Sequence, residues 1–340
     1  MRKHLSAPNL YEIVRAGFNE LEDKRRAQSI SYSMTDVLMS AMAMFFFKSS
    51  SMLGFDKNIK IDPKMAENIQ NIFKIKKIPS DTTMREVIDE IPTDSFRAIY
   101  KKIFSVVQRG NGLKEFEYMG QYIMPLDGTG IYSSGTLECP GCCVKNHKND
   151  EKTFYHQALA GVLVHPFKSN VLVFPPEPIT KQDGTNKNDC ERNATFRFIK
   201  EFRREHPHLQ VTVTADSLAS KEPTIRELER LEFNYVLGCK PGDHKTLFDI
   251  VELNERNNFV QKYECKEGKF IYKFKFINNV QLNNSSEKKI NFLDFEEVSE
   301  SGKIKHFSWV TNFKINNSNV YQLMRIGRSK WKIENETFNT

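Results

Sequence analysis

Through the first 115 or so positions apolar residues recur every three to four places, the period of amphipathic helices. Leu10, Val14, Phe18 and Leu21 share one face and predict a helix over 9–26. The most apolar run, eleven residues between Asp36 and Lys48, predicts a buried helix over 35–48, with Thr35 or Ser33 as its N-cap. That run is too short to cross a bilayer, which needs about 20 apolar residues. Helices over 64–73, 80–90 and 93–108 follow, with Ser80 opening one and Pro92 closing it. Residues 1–115 therefore read as an all-helical module.

The period then shortens to two. Strands are predicted over 117–126, 155–165 and 171–174, followed by a helix over 188–206 carrying Ala194, Phe198 and Phe202. A strand over 209–215, a helix over 223–231 and a strand over 233–238 complete the series. Strand, strand, strand, helix, strand, helix, strand is the order of a ribonuclease-H-like α/β mixed sheet with flanking helices, in which the first and fourth strands are neighbours. Asp127 closes the first and Asp216 the fourth, so these carboxylates meet although 89 residues apart. Asp127-Gly128 has an ordinary meaning as a turn. Two converging carboxylates repel unless a cation stands between them, and a hard divalent ion with oxygen ligands suits such a place.

Residues 246–310 read as a β-rich insertion with strands over 259–265, 269–276, 289–295 and 306–311. Its lysines 262, 266, 269, 273 and 275 make it basic, and edge strands carry lysine to block aggregation. Trp309, near its end, is a core residue by preference. The chain then returns to the α/β domain, 116–245 plus 311–340. Its last stretch, 325–340, reads as one amphipathic helix with Gly327, Lys330 and Glu334 on one face and Arg325, Arg328 and Lys332 on the other. Trp331 and Phe338 flank the Glu334 face and are placed to bury it.

The segments LDGTG, TADSLAS and GRSKWKIENETFN, in this order on these predicted elements, resemble the DDE transposases of bacterial insertion sequences, best the insertion-sequence-four group. EPITKQDGTNKNDCE and VLGCKPGDHKTL add to the resemblance, which runs from about residue 30 to the end. It implies Asp127, Asp216 and Glu334 as catalytic carboxylates holding two Mg²⁺ (or Mn²⁺) ions, and cutting and joining of DNA at insertion-sequence ends by two-metal phosphoryl transfer. Double-stranded DNA, both transposon ends and target, is the implied partner, bound by the helical N-terminal region and embraced by the β-rich insertion. A homodimer in the synaptic complex, a location in the bacterial cytoplasm at the nucleoid, and no membrane association go with it.

The group's Tyr-x2-Arg-x3-Glu-x6-Lys pattern is altered here. Lys330 stands at the Arg position and Gly327 at the Tyr position, so Lys330, Arg328 and Lys240 become the candidates for binding the substrate phosphates. The final Lys would fall at about 341, beyond the last residue. The expectation is a C-terminally truncated transposase, and the alternative a catalytically inactive remnant that binds DNA only.

Charge alters this picture little. With 50 Lys and Arg against 43 Asp and Glu, the net +7 permits a polyanionic partner. Basic clusters at 24–26 and at Lys74, Lys76 and Lys77 suit phosphate contact or a solvated surface equally. Six irregularly spaced cysteines without a signal peptide suggest reduced thiols in a cytosolic setting. Cys139 and Cys142 form half of a tetrahedral zinc site, with Cys143, His147 and His156 nearby in sequence, and reduced loop thiols are the other reading. Asp183, Asp189 and Glu191 are acids near a predicted helix start, where the dipole favours acids, a reading that suffices for Asp189 and Glu191. Glu177 and Lys187 are placed to face DNA.

Overall fold

Serine and aspartate side chains start most of the helices that open the chain, in a computed structural model that describes residues 5–181, 189–284 and 287–339. The chain divides into two compact units, Met1–Leu113 and Lys114–Thr340. In the first, α1 (Ala7–Asn19), α2 (Met34–Phe46), α3 (Met52–Ile61), α4 (Pro63–Phe73), α5 (Asp81–Asp89) and α6 (Arg97–Arg109) pack around Val37, Met39, Phe55, Ile69 and Met84. Ser33 Oγ accepts the Asp36 N–H at 3.0 Å and Ser80 Oγ the Thr83 N–H, so both helices start at the serine. Two expectations change. α1 ends at Asn19 rather than 26, because Asp23 takes the backbone N–H and the guanidinium of Arg25 and turns the segment away from helix. α3 was not anticipated; its buried face is only Phe55 and Asp56. Its start is marked by Ser51, whose Oγ accepts the Gly54 N–H at 2.9 Å, and Asp62-Pro63 restarts the chain as α4.

The second unit is mixed α/β, built on a sheet of twelve strands. In chain order they are β1 (Glu117–Tyr118), β2 (Gln121–Ser134), β3 (Cys143–Asn146), β4 (Lys152–His165), β5 (Lys168–Val173), β6 (Glu177–Ile179), β7 (Val211–Ala215), β8 (Asn234–Gly238), β9 (Gln261–Glu267), β10 (Phe270–Gln281), β11 (Lys289–Ser299) and β12 (Ile304–Thr311). Helices α7 (Glu191–Glu205), α8 (Glu222–Arg230), α9 (Lys245–Arg256), α10 (Val320–Arg328) and the short α11 (Trp331–Ile333) intervene or follow. The main path across the sheet is β3-β4-β2-β7-β8-β12-β11-β10-β9. β2 and β7 are parallel neighbours, in register from Tyr122 with Val211 to Pro125 with Thr214. All five residues of β7 are buried, as a strand covered on both faces requires.

Alternation along β4 separates the two covers. Gly161 faces α7, where an added Cβ would come within 2.3 Å of Phe198 Cζ. Ala160 and Val162 face the other way, into a core shared with Leu323 and Met324 of α10 and with Phe295 and Trp309. The strands of the β-rich segment do not form a separate sheet. β12 pairs with β8 through Trp309 and Gly238, and β11, β10 and β9 extend the same sheet to its edge. The preceding α9 was not anticipated; Phe248 packs on Phe292 with ring centroids 5.3 Å apart.

Two further expectations are corrected. The strand bearing Asp127 does not stop there. β2 runs on to Ser134 because β4 continues to pair with it on its other side, Asp127 opposite Ala160 and Gly128 opposite Leu159. The terminal stretch is not one helix beginning at 325. α10 starts at Val320 and breaks at Ser329, whose Oγ donates back to the Arg325 carbonyl at 2.8 Å, a bond that bends helices. The chain resumes as α11 and then widens into a π-turn over Glu334–Phe338.

Candidate active site

Asp127 and Asp216 each lie two residues past the last parallel pair, Pro125 with Thr214. There β7 ends, while β2 leaves it and continues with β4. The two side chains thus stand where a pair of buried strands gives way to a cleft. Burial raises the Asp127 carboxyl above its ordinary value, Lys330 opposes this, and the charges of Glu334 and Asp216 add to it. Asp216 is positioned by its own loop, its Oδ1 accepting the Leu218 N–H at 2.9 Å.

Glu334 arrives from the π-turn. Lys330, four residues earlier, places Nζ 3.0 Å from Asp127 Oδ2 and 2.5 Å from Glu334 Oε1. Burial works against its ammonium, but the two carboxylates outweigh it and leave its pKa raised. The lysine expected to meet substrate phosphate is thus turned inward, bridging two of the expected catalytic acids. The helix that carries it approaches closely because Gly327 has no side chain; a Cβ there would fall 2.4 Å from the Trp309 ring. Trp309 is a core residue, stacked on Phe307.

A fourth carboxylate enters from the opposite face. Glu191, in the first turn of α7, lies against Gly128, where a Cβ would come within 2.8 Å of its Oε2. Burial raises the pKa of Glu191, the charges of Asp216 and Asp127 raise it further, and Lys330 opposes them. The helix-dipole reading of this residue overlooked that placement. Its one signal in the sequence was the glycine after Asp127, which serves close approach rather than a turn.

The cleft, of about 330 Å³, opens on Asp216, Lys330 and Glu334. Lys240 and the exposed Trp331 line it too, so Trp331 does not bury Glu334 as expected. The break at Ser329 turns the indole outward instead. Arg328 also lines the cleft, but its guanidinium is held by the buried Glu297 at 2.6 Å and lies over the Phe307 ring.

Four carboxylates with two raised pKa values form a hard, oxygen-only donor set that fits Mg²⁺ or Mn²⁺ in kind. Asp127, Asp216 and Glu334 are not a set whose ligand atoms all approach within 4.8 Å of one another. The Lys330 ammonium stands between two of them. Among the described residues the set of His, Cys, Asp and Glu atoms that does so is Cys139, Cys142 and His156.

Other expected contacts are structural. Asp189 and Glu177 both bind Arg197, at 2.8 and 2.5 Å. Asp183 and Lys187 lie outside the described residues. Arg25 is tied to Asp23 and Lys74 to Glu12, while Lys77 covers the Tyr32 ring, so these basic clusters are partly engaged within their own unit. In the β-rich segment Lys262 and Lys275 both pair with Glu255. Lys262 and Lys266 sit on β9, the sheet edge, where lysine hinders strand addition. No helix among the described residues is long and apolar enough to cross a membrane.

The site is an acidic cleft at the ends of two parallel strands, fed from both faces of the sheet. No family model matches the chain, and no curated protein matches it. Among solved structures, the cryo-EM structure of a piggyBac transposase synaptic complex with hairpin DNA is similar over 96% of this chain, at 11% identity and a TM-score of 0.41. The chain spans 66% of the length of that transposase chain.

Proposed function

We propose that this protein is a metal-dependent DNA transposase with a ribonuclease-H-like core of the insertion-sequence type, cutting and joining DNA by phosphoryl transfer. One observation carries the reading: Asp127, Asp216, Glu191 and Glu334, drawn from two neighbouring parallel strands and from helices on both faces, gather beside one cleft with Lys330 among them. The neighbouring first and fourth long strands and the order of the three motif acids agree with the family resemblance.

Asp127, Asp216 and Glu334 would hold the two divalent ions, with Glu191 at the rim. Bound there, such ions supply Lewis-acid stabilisation of the scissile phosphate and of the leaving oxygen. The protein's own part is to bring the acids together and to set the Lys330 ammonium against their charge. Lys330 offsets the charge of Asp127 and Glu334, and with ions held by those acids its ammonium would be available to a substrate phosphate. Lys240 and Trp331 line the approach, one as a phosphate contact and the other as a face on which a base can stack. Arg328 orients α10 through Glu297. The helical first unit would bind the transposon ends.

The test is cleavage of duplex DNA carrying the sequences that flank the reading frame, with Mg²⁺ or Mn²⁺. Asp127→Ala and Asp216→Ala should abolish cleavage and leave DNA binding intact. Cleavage that survives either change sinks the assignment. The lysine bridge favours a second reading, a DNA-binding protein that does not cut, because an ammonium already neutralises two of the acids. Binding without cleavage by the unaltered chain under both metals would select it.

A further inference from the structure

Past the acidic cluster, β2 and β4 continue as an arm, with β3 and β6 paired on the far side of β4, that ends in three ligating atoms the proposed chemistry does not use. β2 runs to Ser134, the chain turns through 135–142, and β3 returns along β4. Within that turn Cys139 Sγ and Cys142 Sγ lie 3.5 Å apart, and each is 3.2 Å from Nε2 of His156 on β4.

Those separations are close to what one ion would impose. Tetrahedral zinc, with Zn–S of about 2.3 Å and Zn–N of about 2.0–2.1 Å, spaces two sulfurs by about 3.8 Å and sulfur from nitrogen by about 3.6 Å. The three atoms need to open by only about 0.3–0.4 Å to surround such an ion. A disulfide would instead need the sulfurs at about 2.05 Å. The backbone is arranged to match. The Cys139 N–H donates to Cys142 Sγ at 3.3 Å, and the Cys142 N–H donates to the Cys139 carbonyl at 3.0 Å, so the turn is closed and one sulfur already accepts a main-chain hydrogen bond. Cys142 is buried, His156 is half-buried and fixed on its strand, and Cys139 is exposed, which leaves a route for an ion from solvent. Thiolate and imidazole ligands in tetrahedral array select zinc over the hard ions suited to the carboxylates.

We propose that Cys139, Cys142 and His156 bind one Zn²⁺, with solvent in the fourth position, and that the ion fastens the turn between β2 and β3 to β4. Binding releases the two thiol protons to solvent and forms two Zn–S bonds and one Zn–N bond. The ion stiffens the arm on which β2 leaves the acidic cluster. This site stands independently of the carboxylate chemistry.

The test is elemental analysis of the full chain, purified without chelator, alongside cobalt titration of the metal-stripped protein. Stoichiometric zinc is expected in the parent and in Asp127→Asn, and none in Cys139→Ser, Cys142→Ser or His156→Ala. Cobalt should give the parent a thiolate-to-metal charge-transfer band in the near ultraviolet, a readout that survives if the cysteine variants fail to fold. A parent that lacks both zinc and the cobalt band overturns the proposal. Zinc retained by Cys142→Ser and lost from Asp127→Asn does so as well, by placing the ion among the carboxylates.

Discussion

Replacing Lys330 by methionine keeps most of the side chain's bulk and removes the one ammonium that bridges Asp127 and Glu334. The lysine and Asp127 side chains are 18% and 16% exposed and Glu334 is 37% exposed, so the two halves of the bridge differ in weight. The pair with Glu334, four residues apart and the more open, is worth about 0.3–0.5 kcal/mol. Stripping the partner from a wholly buried carboxylate costs about 3–5 kcal/mol, and Asp127 is short of wholly buried, so about 2 kcal/mol is the fitting figure for its half. The variant should therefore lose roughly 2–3 kcal/mol at neutral pH. The loss should also depend on pH. Among the influences on Asp127, only those of Lys330 lower its pKa; burial, Glu334 and Asp216 raise it. A carboxyl whose folded pKa lies above its unfolded one stabilises the fold in its protonated form, and that stability is lost as pH rises through the folded value. Lys330→Met should thus be close to the parent at pH 4 and fall away from it toward pH 8. Both tryptophans, Trp309 and Trp331, lie in the second unit, so urea unfolding followed by tryptophan fluorescence reports that unit alone. Added Mg²⁺ should restore more stability to the variant than to the parent, since it meets two acids with no internal counterion. Equal stability of the two proteins at pH 8, or no differential effect of Mg²⁺, would refute the account of the cluster.

Three other perturbations are informative. Gly327→Ala drives a methyl to 2.4 Å from the Trp309 ring, so overpacking of about 1–3 kcal/mol should exceed the roughly 1 kcal/mol that alanine gains as a helix former; an unchanged urea midpoint would show that α10 does not pack on Trp309. Glu191→Gln mimics the protonated acid that burial and neighbouring charges favour, so it should stabilise the metal-free protein by up to about 1 kcal/mol at pH 7 and by nothing at pH 4, as a pH series of melting temperatures would reveal; destabilisation at pH 7 would contradict the raised pKa. Trp331→Ala removes a 55% exposed indole, so stability should hold within about 0.5 kcal/mol while single-stranded DNA affinity, read by fluorescence anisotropy, falls by about 1–3 kcal/mol; undiminished affinity would remove the indole from the binding surface.

How far the site could be read from the sequence depends on where each residue's partners lie. Asp127 and Asp216 were legible because each follows a strand of plain period, and the order of elements made those strands neighbours. What the order did not contain was the continuation of β2 past Asp127. Asp-Gly reads as a turn when β2 is considered alone, and only β4, pairing with it to Ser134 through a register shift at Ile131, keeps it extended. That continuation is what presents Gly128 to Glu191 and makes an acid at a helix start part of the cluster. The pairing of Lys330 with Asp127 was hidden for a related reason. A helical wheel puts Gly327, Lys330 and Glu334 on one face, and they do act together, but the wheel assumes an unbroken helix. The bond from Ser329 back to Arg325 and the π-turn after it change the rotation, sending Trp331 out to the cleft and Lys330 in toward Asp127. The same holds for the missed helices: α3 and α9 bury few apolar residues, so the Ser51 cap of the first and the packing of Phe248 on Phe292 in the second stabilise them more than a pattern does. Period-based reading therefore finds elements that carry their own amphipathic signal, and it misplaces the residues whose position is decided by a strand or helix pairing far along the chain. In this protein those are the residues of the acidic cluster, because acids from two strands, from α7 and from the terminal π-turn come near one another only after both faces of the sheet are covered.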